Sequence, residues 1–362
     1  MAQAMPDVTV HGAGIFGLAI AWECLRRGAR VRVIEAACIG AGSSGGLVGA
    51  LAPHVPEQWN PKKAFQLEAL LMAEGFWAGV AAAGGTDPGY ARTGRLQPLA
   101  DAAAVALARA RAAGARALWQ GRAEWRVVPA ARDGWAPGAA SGFMVHDTLT
   151  ARMAPRRALA ALAAAIRARG GEIMEGGGIV EGGGAGAGAP EAGGLQVWAT
   201  GAAGLAELSA DLGRTVGAPV KGQSALLRPA RAVAGLPQLF AEGLHVVPHA
   251  DGSVALGSTS EREFAAGDSV DAQLEALIGR ARALCPALAD APVLERWAGL
   301  RPRARTRAPM LGQWPGRAGH FVANGGFKIG FGIAPKVAGV MADLVLEGRD
   351  GIPAGFRVED SL

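Results

Sequence analysis

Along the chain, the spacing of apolar positions switches repeatedly between two periods. Val8-Thr9-Val10 is a short β-branched run. Glycines follow it, and then an apolar stretch from Leu18 to Arg27, closed by Gly28, predicts a helix. Val31-Arg32-Val33-Ile34 predicts a second strand, so the opening residues read as strand, helix, strand. Helical spacing returns over Lys62–Val80, Asp101–Arg122, Pro155–Gly170, Asp271–Leu284 and Gly332–Leu346. Tyr90 to Leu96 reads as a turn into a strand, and Glu172-Ile173-Met174, Leu195 to Gly201 and Phe321 to Asn324 read as strands. Val246-Val247-Pro248 and Ser253 to Gly257 flank Asp251-Gly252, a hairpin signature. The low-complexity stretch Gly176–Gly194 reads as a mobile surface hairpin. Strands alternating with helices place the chain in the α/β class.

At 362 residues there is room for two domains, or for one large domain with a second sheet. Half the residues are hydrophobic and the mean hydropathy is +0.21, as in globular proteins with substantial cores. No apolar run reaches the ~20 residues of a membrane-spanning helix, and no leader-like stretch precedes Val8, so no integral membrane segment and a cytoplasmic location are expected. Cys24, Cys38 and Cys285 fit no metal-ligand spacing, so neither a metal site nor a disulfide framework is expected. The net charge of +5 comes largely from arginines scattered among alanines, such as Arg109, Arg111, Arg116 and Arg122, with Trp119 between them. They read as solvated helix faces; nucleic acid is the less favoured partner.

The glycine turn carries the first chemistry. In Gly12-Ala13-Gly14-Ile15-Phe16-Gly17, Gly12 permits the tight turn and Gly14 admits a pyrophosphate close to the backbone. Gly17 lets helix and strand pack closely, and the helix N-terminus attracts the phosphates. Glu35 ends the second strand eighteen residues after Gly17, where a carboxylate accepts ribose hydroxyls and repels a 2′-phosphate. His11 reads as a packing residue. The small-residue segment from Gly40 to His54 mixes glycines with Leu47, Val48 and Leu51, which suits close approach to a planar cofactor, and Ser43 and Ser44 are placed to bond phosphate.

Taken in order, these segments resemble the D-amino-acid oxidase-like family of FAD amine oxidases, which includes glycine oxidase, sarcosine oxidase and D-amino-acid dehydrogenases. The likeness covers nearly the whole chain. Its carriers are the glycine turn with Glu35, the segment from Ser43-Ser44 to Pro53-His54, Val197-Trp198-Ala199-Thr200-Gly201, and Pro248-His249-Ala250-Asp251-Gly252 leading to Gly257-Ser258-Thr259. Gly299-Leu300-Arg301-Pro302 and Gly325 to Pro335 complete the set.

The resemblance implies a Rossmann-like FAD-binding domain with an inserted substrate domain of mixed or antiparallel sheet. The FAD-binding domain would comprise 1–90, 146–216 and 296–362, and the substrate domain 91–145 and 217–295. FAD, bound noncovalently, would contact Gly12, Gly14, Ile15, Phe16, Gly17 and Glu35, with Ser43, Ser44 and Thr200-Gly201 near the phosphates. Ile179 would lie beside the adenine. The flavin would meet Gly49, Ala50 and Leu51 on one side, and the turn Gly326-Phe327-Lys328-Ile329-Gly330 on the other, where amides and a helix dipole stabilise negative charge.

By the same resemblance, Arg301 is the carboxylate-binding arginine, and Lys328 a second basic residue near that carboxylate. The implied reaction is oxidation of an amine α to a carboxylate, on glycine, a D-amino acid or an N-substituted amino acid. Hydride passes to flavin N5, the imine hydrolyses, and oxygen or a quinone reoxidises the flavin. Relatives often carry a tyrosine where this chain has His245; His245 or His249 would replace it as a polar contact, or lie exposed. Arg303, Arg305 and Arg307 stand where relatives have Thr-Pro-Asp, which suggests a more anionic substrate. Two alternatives stay open: an FAD oxidase acting on the carboxymethylaminomethyl group of tRNA wobble uridine, and a flavoprotein subunit of a larger dehydrogenase. Either a homo-oligomer or a hetero-oligomeric complex fits the sequence.

Overall fold

The structure, a computed structural model, describes residues 5–131, 134–176 and 194–362. Ile179 and most of the low-complexity stretch lie outside the described residues.

One six-stranded sheet takes β1 (Val8–His11), β2 (Val31–Ile34), β8 (Glu172–Met174), β9 (Leu195–Trp198), β15 (Met310–Gln313) and β16 (His320–Asn324). Its order is β15-β16-β9-β1-β2-β8, parallel throughout except for the β15–β16 pair. Val8 pairs with Val31 on one side and Leu195 on the other, so β1 is central and buried on both faces.

The second sheet has eight strands: β4 (Arg95–Pro98), β5 (Trp125–Pro129), β6 (Phe143–Asp147), β10 (Gly217–Leu227), β11 (Gln238–Ala241), β12 (Leu244–Pro248), β13 (Val254–Gly257) and β14 (Val293–Ala304). The order is β14-β10-β13-β12-β11-β4-β6-β5, and the β11–β4 pair alone is parallel. β3 (Ala50–Leu51) and β7 (Ala151–Arg152) form a separate two-stranded antiparallel ladder. This is the mixed α/β architecture expected from the sequence, with a parallel sheet and a largely antiparallel one.

Seven helices are present among the described residues: α1 (Ile15–Arg26), α2 (Pro61–Gly84), α3 (Ala102–Trp119), α4 (Pro155–Ala168), α5 (Gly201–Asp211), α6 (Ala272–Leu284) and α7 (Gly330–Glu347). Helix α1 is buried from Ile15 to Leu25, packed between β1 and the helices α4 and α7. It starts three residues earlier than its apolar run suggests, because Gly14 serves as the N-cap. Helix α2 is long and apolar enough to cross a membrane by length and composition only, and it extends the helix expected over Lys62–Val80 at both ends. Phe65, Leu67, Leu70, Trp77 and Val80 bury its inner face where it meets α4 and α7, and its first turn carries Lys62 and Lys63. Asn60 caps it through a bond from the Lys63 amide at 3.1 Å, and Gly85, at φ 64°, ends it.

Strand β14 belongs wholly to the eight-stranded sheet and pairs with β10 from Gly217↔Ala304 to Leu227↔Val293. Residues 296–304, expected in the FAD-binding part, lie on this strand, and Arg301 is among them. The largest apolar cluster packs α1, α2, α4 and α7 around the six-stranded sheet. A separate cluster lies between β10–β13 and α6.

Candidate active site

A cavity of about 1780 Å³ opens where the C-terminal ends of β1 and β9 face β10 and β14. Its first end is the glycine turn. Gly12 has φ 99°, and a Cβ there would come within 2.6 Å of the Ala199 carbonyl oxygen, so only glycine fits. The N-cap Gly14 brings no side chain to the start of α1, and the Ile15 amide donates instead to Ser44 Oγ at 3.0 Å. Glu35 is aimed at the turn: its carboxylate accepts from the Ala13 amide at 2.7 Å and from the Ala37 amide at 3.1 Å. An anion-seeking helix terminus, a hydroxyl and an oriented carboxylate thus share one wall.

The middle of the cavity is closed by backbone. Gly49, at φ 63°, sits so close to Met153 that a Cβ would lie 1.9 Å from its carbonyl oxygen; Ser43 and Ala50 line the same wall. Thr200 and Gly201 open α5 on the opposite side. Asn324, which the sequence reading missed, ties this side together by donating to Gly201 O at 2.9 Å and accepting from the Gly325 amide at 2.8 Å. Gly326 packs against Phe16, its absent Cβ leaving 2.8 Å to the ring.

The far end holds the charged side chains. Arg301 is 9% exposed and donates to the Thr259 carbonyl at 3.1 Å. Its guanidinium lies against Gly222, where a Cβ would stand 1.7 Å from Nη2. No ion pair holds it among the described residues. Burial brings its pKa down to about 10, against the opposing pull of Glu261, so it stays charged at neutral pH. Lys328 lies over the Phe327 ring at 5.8 Å; burial, and then the Arg301 charge, push its pKa below the usual lysine range. His245 lines the cavity beside Phe240, with ring centroids 4.5 Å apart, and its Nδ1 has no partner. Burial, reinforced by Arg95 and Lys328, lowers its pKa to about 3, so it is neutral across the ordinary pH range. Trp297 lies across Gly299 and against Gly46, another wall without a sequence signature.

Several expected residues fall elsewhere. Gly17 faces the Gly12 carbonyl rather than the cavity, Leu51 is buried beside Gly332, and Ile329 is the N-cap of α7. His249 is buried against the Val48 carbonyl at 3.3 Å and does not line the cavity. Arg303, Arg305 and Arg307 line a separate concavity of about 480 Å³ with Arg214, and Arg303 also lies over the ring of Phe327, 5.9 Å from its centroid, on the border of the main cavity. His11, expected to pack, stacks on Trp198 with centroids 3.9 Å apart and also lines the main cavity. The cysteines form no disulfide, and among the described residues no cluster suits a metal ion.

The family model for FAD dependent oxidoreductases of the DAO type matches residues 7–344. The chain belongs to this family: it is an FAD-dependent oxidoreductase, and FAD is its cofactor. It is 36% identical over 135 residues to the glycine oxidase of Pseudomonas aeruginosa, a match spanning 37% of this chain and 36% of that protein. Over 94% of its length it is 26% identical to the glycine oxidase of Geobacillus kaustophilus, covering 92% of that protein. The crystal structure of the latter superposes with a TM-score of 0.79 over 98% of both chains, at 23% identity. Iminodiacetate oxidase from Chelativorans sp. superposes with a TM-score of 0.81 over 97% of this chain and 98% of that one, at 22% identity. These superpositions establish the shared fold.

Proposed function

We propose that this protein oxidises an amine α to a carboxylate, as glycine, a D-amino acid or an N-substituted amino acid. The observation that carries the proposal is Arg301: a buried, charged guanidinium without a carboxylate partner among the described residues, in the same cavity as the glycine turn. Buried arginines are normally paired, and an incoming carboxylate supplies the missing anion. The names of the full-length relatives point the same way.

Gly12, Gly14, Ile15, Ser43, Ser44 and Glu35 suit FAD's phosphates and ribose: the start of α1, where the N-cap Gly14 brings no side chain, faces the cavity, with the oriented Glu35 carboxylate close by. Gly49, Ala50 and the Gly326–Gly330 turn are the walls for its ring system. When bound, FAD supplies the two-electron oxidant.

The protein's own share is capture and desolvation. Arg301 takes the substrate carboxylate, Lys328 adds a second positive charge, and together they disfavour a third cation, which lowers the pKa of the substrate ammonium. The amine is thereby presented neutral, as loss of hydride from its α-carbon requires. Neutral His245 offers a ring nitrogen to the substrate without adding charge. The imine product hydrolyses in water.

The test is anaerobic mixing of the holoenzyme with glycine, sarcosine, D-amino acids, proline analogues and dicarboxylic amino acids. Bleaching of the flavin by at least one of them, with the matching oxo acid formed, is expected. A flavin that none of them bleaches contradicts the proposal.

A further inference from the structure

Behind Arg301, on the side away from the cavity, lies a polar network that the amine-oxidation proposal does not use. Among the described residues, the guanidinium of Arg301 makes one hydrogen bond, to the carbonyl of Thr259, so the position of that carbonyl sets the pose of the guanidinium. Thr259 follows the end of β13 and is held on β10 through Gln223: the Thr259 amide donates to Gln223 O at 3.3 Å, and the Gln223 amide donates to the Thr259 hydroxyl at 2.8 Å. That hydroxyl in turn donates to Glu261 Oε1, which also accepts from Gln223 Nε2 at 3.0 Å.

Glu261 is buried, and its second oxygen faces Lys221 Nζ at 3.4 Å; Lys221 also meets Asp271 at 3.1 Å. Asp271 closes the network by accepting from Gln223 Nε2 at 2.8 Å and donating its amide to Gln223 Oε1 at 2.9 Å. A buried carboxylate is costly unless it is paired and bonded. Here Lys221 meets the charge requirement, which leaves Oε1 free to act as a fixed acceptor.

We propose that Glu261 is a positioning residue: by pinning the Thr259 hydroxyl, it fixes the carbonyl that orients the Arg301 fork towards the substrate carboxylate. The inference rests on the amine-oxidation proposal, since it assigns that function to Arg301. It concerns the acceptor oxygen of Glu261 rather than its charge, because a negative charge near Arg301 weakens its attraction for an incoming anion.

The experiment removes the counter-ion first, so that no buried lysine is orphaned, and then separates acceptor from charge. In FAD-loaded protein, Lys221→Met/Glu261→Gln keeps an acceptor oxygen, whereas Lys221→Met/Glu261→Leu does not. Acetate binding is followed through the flavin absorbance spectrum, and flavin reduction by the best amino acid through its saturation curve. The Gln variant is expected to bind acetate within about threefold of wild type. The Leu variant is expected to bind at least tenfold more weakly, with its limiting rate of flavin reduction within about threefold. Thr259→Val should reproduce the loss and Thr259→Ser should restore it, which keeps the test decisive if the Leu variant does not fold. Equal acetate affinity in wild type, Thr259→Val and the folded double variants overturns the positioning role alone. A wild-type flavin that responds neither to acetate nor to any amino acid overturns the amine-oxidation proposal, and this role with it.

Discussion

Gly222→Ala probes the substrate end of the cavity through a single methyl group. Gly222 sits on β10 in register with Gly299 of β14, and an added Cβ would stand 1.7 Å from Arg301 Nη2, 2.0 Å from Cζ and 2.1 Å from Nη1. Ordinary contact between such atoms needs about 3.5–4.0 Å, so the guanidinium must move by roughly 2 Å. The displaced group is the far end of a flexible side chain, and the new residue suits a strand better than glycine, so the fold should hold and the melting temperature should stay near wild type. The 3.1 Å bond to Thr259 O is lost, and the fork no longer meets a carboxylate bidentately. Losing one side of a buried charged pair costs about 2–4 kcal/mol, which corresponds to a drop in kcat/KM of roughly 30- to 1000-fold. Stopped-flow flavin reduction at sub-saturating amino acid measures this directly. A folded Gly222→Ala protein with wild-type kcat/KM refutes the assignment of Arg301.

Three further outcomes are expected. Ser44→Ala removes the acceptor of the Ile15 amide and should destabilise the FAD-free protein by about 1 kcal/mol in thermal or denaturant unfolding, with a smaller effect once FAD occupies the site. Gly17→Ala drives a methyl group to 1.9 Å from the Gly12 carbonyl, a backbone atom that cannot step aside, so the purified protein should lose its flavin absorbance. His245, with a folded pKa of about 3 against an ordinary 6.5, binds its proton more readily in the unfolded chain between those values. Stability therefore rises with pH across that window and is level above it; for this residue alone the fall from pH 7 to pH 5 is about 2 kcal/mol, and His245→Phe should abolish that share in denaturant titrations at the two pH values.

What the sequence disclosed and what it withheld follow the range of the interactions involved. The glycine turn, Glu35 and Ser44 were legible because their chemistry is local: strand, turn and helix follow one another within a few dozen residues, and φ 99° at Gly12 admits little besides glycine. Helix α5 was missed, since Gly201-Ala202-Ala203-Gly204 carries weak helical signals and the helix is held by packing of Leu205 and Leu208. Strands β10 and β14 were missed for a related reason: both contain prolines and glycines, and they exist through their mutual pairing, which periodicity does not report. The same pairing places Arg301 above Gly222 and brings the acceptor network behind it. Arginines 303, 305 and 307 suggested a more anionic substrate because they crowd the segment after Arg301 where relatives carry Thr-Pro-Asp. Arg303 lies at the end of β14, Arg305 and Arg307 follow the strand's last residue, and all three line a different concavity.

The account turns on capture of a carboxylate by Arg301. Its most direct test compares anaerobic flavin reduction by the best amino-acid substrate with reduction by the corresponding amide, which keeps the amine and the α-hydrogen but lacks the negative charge. The account predicts that the amide reduces the flavin at least about 100-fold more slowly at equal sub-saturating concentration, and that this gap shrinks to within a few-fold in Arg301→Ala. An amide that reduces the wild-type flavin as fast as the acid would contradict it.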